Sequence, residues 1–250
     1  MTVEERKSVA EAWVKAAKGR LQAVLVHIGG ANLRESIELA KHAALIGADA
    51  IACVGPTYFK PETMECYVDY MARVAAAAPN LPFYLYDIDF FTGIQFGVTD
   101  FFDKAKERIP TLNGVKHTSP HFPSMNTFLL KHPEMQILLG SDELYLPGLA
   151  IGITETIMNS YQGAILTQMK ESFDKGDMET ARKQQKYALT LCNIRRKHDL
   201  SVPGGTKAVL RAIGFEVGQP RLPLSPISDD VIQEIKKEMT NVGYFQWGMK

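Results

Sequence analysis

The sequence predicts an α/β fold built on a parallel sheet. Short apolar runs, most of them closed by Gly, Pro or a polar residue, read as strands buried on both faces. Segments with helical apolar spacing separate them. The strand–helix unit recurs at intervals of roughly thirty residues, as parallel crossovers require. The length, 250 residues, suits one α/β barrel.

Residues 3–18 read as a helix from Val9, Ala10, Trp13, Ala16 and Ala17, with Thr2 and Glu5 spaced as a capping box. Residues 23–28 form the first strand, closed by Gly29-Gly30. A helix over 36–46 follows and ends at Gly47, a C-cap glycine. Strands at 50–54, 83–88, 114–118 and 136–140 come next, with helices over 61–78, 99–108, 125–131 and 144–151. A last strand is expected at 154–159. Helices at 163–175, 177–199 and 204–214 then run consecutively, an extended linker spans 220–226, and a final helix covers 228–240, capped by Ser228 or Asp229. The whole chain reads as a single domain, with strand–helix units over 1–162, which the resemblance given below makes a partial barrel, and a helical extension over 163–250. Pattern alone leaves two architectures open. A closed barrel needs eight strands, the six read here also suit a doubly wound sheet, and the periodicity does not choose.

Lys plus Arg and Asp plus Glu both number 28, so the formal net charge is zero. That balance gives no electrostatic footprint for nucleic acid or an anionic membrane. No apolar run spans a bilayer, and Met1–Lys7 reads as neither signal nor transit peptide. Cys53, Cys66 and Cys192 form no pair motif. The expectation is a cytoplasmic protein.

Active sites of parallel α/β folds lie at the carboxyl ends of the strands. The polar residues there are His27, Tyr86, Asp87, Lys116, His117, Thr118, Asp142, Glu143, Asn159 and Ser160. A lysine at position 116 is out of place in a core strand. It either snorkels to solvent or is a desolvated amine able to attack a carbonyl. Lowering its pKa from about 10.4 to about 7–8 corresponds to roughly 4 kcal/mol against the charged form. On the residues alone, the snorkelling reading is favoured. Tyr86 is either a satisfied buried aromatic or a proton relay for an amine on the next strand. Asp142 and Glu143 either complement a helix dipole or bind substrate hydroxyls. His117 and His121, separated by Pro120, do not make a metal site. Gly204-Gly205-Thr206, ahead of a helix, is a cap or an anion cradle.

The stretches Leu81–Ile88 (LPFYLYDI), Gly114–Thr118 (GVKHT) and Gly140–Glu143 (GSDE) resemble the pyruvate-dependent class I aldolases of the dihydrodipicolinate synthase and N-acetylneuraminate lyase family. So do Ser36–Ala52 and the tail Pro220–Leu224. The Gly-x-Asp-Glu order resembles the sialic acid lyase branch, and the tail its animal members. The resemblance implies a TIM (β/α)8-type barrel, here lacking its first two strands, with a C-terminal three-to-four-helix extension. It implies reversible cleavage of N-acetylneuraminate to N-acetylmannosamine and pyruvate by a homotetramer. Neither metal nor organic cofactor is implied. By that match Lys116 is the Schiff-base lysine and Tyr86 the proton-relaying tyrosine. Thr118, Gly140, Asp142, Glu143 and Asn159 contact the substrate, and Tyr58 lies near a subunit contact.

Three departures accompany the resemblance. The family's Gly-Thr-Thr-Gly-Glu-type loop, which holds the pyruvate carboxylate, does not occur in the 250 residues. The family's Tyr-x-Ile-Pro reads Tyr86-Asp87-Ile88-Asp89, which is expected to loosen the turn that aims the tyrosine. Glu155 and Met158 replace small residues and are expected to crowd the site. The missing loop and the changed last strand keep open a catalytically impaired isoform or paralogue that binds full-length subunits, and the pocket residues Asn159 and Ser141 keep open an aldolase for another 2-oxo acid or aldehyde acceptor.

Overall fold

Strand order decides between the two architectures. In the computed structural model, which describes residues 1–247, β1 (Leu25–His27), β2 (Ala50–Val54), β3 (Phe83–Asp87), β4 (Leu112–His117) and β5 (Gln136–Leu139) pair in parallel, each with its sequence neighbour. Parallel crossovers are right-handed. An order that never reverses therefore places every crossover on one face, whereas a doubly wound sheet needs a reversal. The result is barrel-type winding. The crossovers are α2 (Leu33–Leu45), α3 (Met64–Ala75), α5 (Val98–Ala105) and α6 (Phe122–Lys131), and α1 (Val3–Ala17) precedes β1. These elements belong to a first compact unit, Met1–Gly140.

The two faces of this sheet differ. Ile51, Cys53, Phe83, Leu85, Val115, Ile137 and Leu139 alternate onto the helix-covered face and are buried, as are Leu39, Met71, Phe102 and Phe128 from the helices. Each large side chain buried this way contributes about 1.5–3 kcal/mol. On the opposite face Ala50, Ala52 and Tyr84 form a smaller apolar layer with Leu25 and Leu138. A bulge at Asn113 shifts the β3–β4 register. There Asn113 donates to the Tyr84 hydroxyl at 2.5 Å, and that hydroxyl donates to Gln136 at 2.5 Å. The layer is thus closed at the amino ends of the strands, and its carboxyl ends carry His27, Tyr86 and Lys116.

Thr2 and Glu5 form the expected capping box on α1. The apolar positions of α1 divide between environments, however: Ala10 and Ala17 are buried, while Val9 and Trp13 are 46% and 58% exposed. The turn after Tyr86 winds into a short helix, α4 (Asp89–Thr92), ended by Gly93 at φ 63°. The Asp89 carboxylate accepts from Phe90 N–H at 2.7 Å, and the Thr92 hydroxyl donates to the Ile88 carbonyl at 3.2 Å.

A second unit begins at Ser141. It contains α7 (Tyr145–Ala150), β6 (Glu155–Thr156), α8 (Gly163–Asp174), α9 (Met178–Arg196), α10 (Val202–Ala212), α11 (Asp229–Asn241) and α12 (Tyr244–Trp247). Single 3-10 turns lie at Asp142–Leu144 and Ser160–Gln162. Its core joins Tyr161, Leu191, Val209, Ile232, Ile235 and Met239. The strand expected over 154–159 is two residues long, and Glu155 is exposed. Gly204-Gly205 does not precede α10 as a cradle; the pair lies within its first turn, capped by Ser201. A side chain on Gly205 would stand 2.9 Å from the Arg195 carbonyl of α9, so glycine permits that close approach. Among the described residues no helix is long and apolar enough to cross a membrane.

Candidate active site

Parallel pairing sets Tyr86 directly opposite Lys116, with Val54 the partner of Tyr86 on its other side and Leu138 that of Lys116. The side-chain period of two sends Tyr86 and Lys116 to the face away from the crossover helices. There the Lys116 Nζ stands 4.0 Å from the centre of the Tyr86 ring and donates to the Thr118 hydroxyl at 2.9 Å. The Thr118 side chain also hydrogen-bonds Tyr86. One hydroxyl therefore touches both the lysine expected to form the Schiff base and the tyrosine expected to relay the proton. Desolvation holds the Tyr86 phenol above its ordinary value, although the Thr118 bond works the other way. The phenol is neutral at physiological pH and can donate a proton.

Gly140 closes this group. A Cβ on it would lie 2.1 Å from Thr118 Oγ1 and 2.9 Å from Lys116 Nζ. The absent side chain leaves the space that the amine and hydroxyl occupy. On the far side His27 meets Tyr86 edge to face at 5.6 Å. Desolvation, with the Arg6 and Lys116 charges added, pushes its imidazole down to about 4. Arg6 is anchored beside it by donating to the His27 carbonyl at 2.8 Å.

In the second unit, Asp142 is 2% exposed. Its Oδ1 accepts from Asn159 N–H at 3.1 Å. Its Oδ2 accepts from Asn159 Nδ2 at 2.5 Å, from Gln162 Nε2 at 2.8 Å and from the Cys192 thiol at 3.7 Å. Desolvation raises the Asp142 pKa, and the Asn159 bonds oppose that rise. Asn159 is used at both ends of its amide, because its Oδ1 accepts from Thr206 at 3.2 Å. Glu143 is more open and pairs with Arg196. Desolvation pushes its carboxyl up, but the Arg196 bond and charge outweigh that and leave it below its usual value. Burial and the nearby Asp142 push the Cys192 thiol up to about 12, so it stays protonated.

Lys116, Tyr86, Thr118 and Gly140 thus form one constellation in the first unit. Asp142, Glu143 and Asn159 belong to a second group, within which Asp142 and Asn159 are bonded directly. Tyr58, on the loop after β2, is 83% exposed beside Phe59. Sequence reasoning missed Gln162, Cys192 and Arg196 as partners of this group, because each reaches Asp142 or Glu143 across a long stretch of chain, and it read Thr206 as part of a cap or anion cradle rather than as the partner of Asn159. Among the described residues no group of three or more His, Cys, Asp or Glu side chains could hold a metal ion.

The model of the dihydrodipicolinate synthetase family matches residues 1–242. The N-acetylneuraminate lyase of Gallus gallus is 36% identical over 247 residues, covering 97% of this chain and 80% of its own. The solved N-acetylneuraminate lyase of Proteus mirabilis superposes with a TM-score of 0.90 at 28% identity, covering 98% of this chain and 82% of its own. A catalytic lysine mutant of the Ruminococcus gnavus sialic acid aldolase gives 0.89 at 28% identity, covering 99% of this chain and 82% of its own. On the family match and this relative, the chain belongs to the dihydrodipicolinate synthetase family.

Proposed function

We propose that the protein is a class I aldolase that cleaves N-acetylneuraminate to N-acetylmannosamine and pyruvate through a Schiff base on Lys116. The observation that carries the reading is the lysine amine placed over the Tyr86 ring and hydrogen-bonded to Thr118. The neutral amine attacks the C2 carbonyl of the open-chain sugar acid, and loss of water leaves an iminium. The bond between C3 and C4 then breaks. Its electrons pass to the iminium to give an enamine, and as the aldehyde forms the C4 hydroxyl gives its proton to the Tyr86 phenolate that was left when the phenol protonated the departing water. Tyr86 returns a proton to C3 of the enamine, directly or through Thr118. Hydrolysis of the resulting imine releases pyruvate and regenerates Lys116.

Thr118, Gly140, Asp142, Glu143 and Asn159 take the sugar-derived chain in this account. Asp142 and Asn159 act as a bonded pair, and Glu143, the more open carboxylate, meets a hydroxyl. The covalently held pyruvate is itself the electron sink, so the reaction needs neither metal nor organic cofactor. We further propose a (β/α)8-type barrel, six of whose strands lie in the described residues, within a cytoplasmic homotetramer. The exposed aromatics Tyr58, Phe59, Phe90 and Phe91 support self-association, because apolar surface of that kind marks contacts between proteins.

Incubation with N-acetylneuraminate, followed by chromatographic detection of N-acetylmannosamine and pyruvate in equal amounts, tests the substrate. Release of a different aldehyde from a panel of 2-oxo acids would redirect the specificity. The two-residue β6 favours a second reading, a catalytically impaired subunit that binds full-length partners. Co-purification with such a partner and no turnover alone would support it.

A further inference from the structure

Beneath Lys116 and Tyr86 lies a hydrogen-bonded pair, a buried histidine and a partly buried aspartate, that the reaction does not use. His117 is 5% exposed, and its Nδ1 lies 2.7 Å from Asp87 Oδ2. A carboxylate only accepts, so Nδ1 carries the proton and donates it. Asp87 and His117 are partners in the β3–β4 register, one rung beyond Tyr86 and Lys116. The alternation of side chains puts the Asp87–His117 pair on the helix-covered face and the reacting pair on the other.

The same rung is tied by backbone bonds. Thr118 N–H donates to the Asp87 carbonyl at 3.0 Å, and Gly140 N–H donates to the His117 carbonyl at 3.0 Å. Every residue of the lysine constellation therefore sits on or next to this rung. The chain also has Asp89 at the turn where a proline would otherwise restrict the backbone. A side-chain bond across the strand ends supplies a restraint from the opposite face.

We infer that Asp87 and His117 are positioning residues whose partly buried bond fixes the register of Tyr86 against Lys116. This rests on the aldolase reading. A displacement of about 1 Å at a reacting group costs on the order of 10²-fold in rate, so loosening one rung is enough to be read kinetically.

The test compares the rate of pyruvate imine formation on Lys116, trapped with borohydride, in the wild type, His117→Phe, His117→Asn and Asp87→Ala. His117→Phe keeps the ring volume and removes the donor. His117→Asn restores an N–H near the Nδ1 position. The expected result is at least a tenfold slower rate at saturating pyruvate for His117→Phe and Asp87→Ala, with the half-saturating pyruvate concentration within about threefold. His117→Asn recovers most of the rate. Should His117→Phe fail to fold, Asp87→Ala with His117→Asn gives the same comparison. Variants that melt at lower temperature yet react within twofold of the wild type would overturn the inference. A wild type that forms no imine would remove the aldolase reading, and the positioning role with it.

Discussion

Lys116 Nζ stands 4.0 Å from the centre of the Tyr86 ring, on strands that pair the two residues in register. This one relationship gives the tyrosine two separable functions. Its ring face attracts the ammonium form of the lysine, and its hydroxyl, bonded to Thr118, supplies the proton. Tyr86→Phe keeps the first and removes the second. It is expected to bind pyruvate as an imine while kcat falls by about 10²–10³-fold. Tyr86→Phe turnover within threefold of the wild type, measured by pyruvate release, would assign the proton to another group.

Thr118→Val retains the shape of the side chain and deletes the hydroxyl that meets both Lys116 and Tyr86. Thr118→Ser keeps it. Steady-state kinetics should show a loss of kcat of on the order of 10²-fold in the valine variant, largely recovered in the serine variant. Equal losses in both would make the methyl group, not the hydroxyl, the functional part.

Gly140→Ala places a Cβ where Thr118 and Lys116 now stand, 2.1 Å from the hydroxyl oxygen. The collision displaces the amine from its partner. Overpacking of this kind costs about 1–3 kcal/mol, visible by denaturant titration, and the same variant should lose most of its imine formation. Retention of both would show that the two side chains move aside freely.

Asp142 is surrounded by donors: Asn159 N–H, Asn159 Nδ2, Gln162 Nε2 and the Cys192 thiol. Asp142→Asn turns one accepting oxygen into a donor facing them. The expected destabilisation is about 1–3 kcal/mol. The pH dependence has a definite sign. The folded-state pKa of Asp142 is raised, first by desolvation, so the folded protein binds more protons than the unfolded chain just above the ordinary aspartate value. This group's contribution to stability therefore grows as pH falls through the raised pKa. Asp142→Asn removes that contribution. Glu143, whose pKa is lowered, has the opposite sign. Its stabilisation is present above the ordinary glutamate value and is lost as pH falls below it. Denaturation of wild type and variant at several pH values between about 4 and about 6 separates the two, and superimposable profiles would contradict the burial argument.

The sequence made the sheet legible because its signals are local. The continuous apolar run Ala50–Val54 is the strand β2 itself, buried from Ala50 through Cys53 as a run apolar on both faces indicates. Lys116 stood out by being polar within such a run. What could not be read depends on long-range partners. β6 stops at Thr156, and three residues on Asn159 N–H is committed to the Asp142 carboxylate, an interaction across 17 residues. The role of His117 was equally hidden, because only pairing in register shows that Asp87 faces it. The short helix α4 has a local cause, an aspartate that bonds the next N–H, but the absence of a proline signalled freedom rather than a turn.

The central claim is that Lys116 is the covalent nucleophile. Treatment of the folded protein with pyruvate and borohydride, followed by peptide mass spectrometry, tests it most directly. The account predicts one reduced pyruvate adduct, on the peptide carrying Lys116, and none in Lys116→Ala. A folded protein that takes no adduct, or takes it on another lysine, would contradict the account.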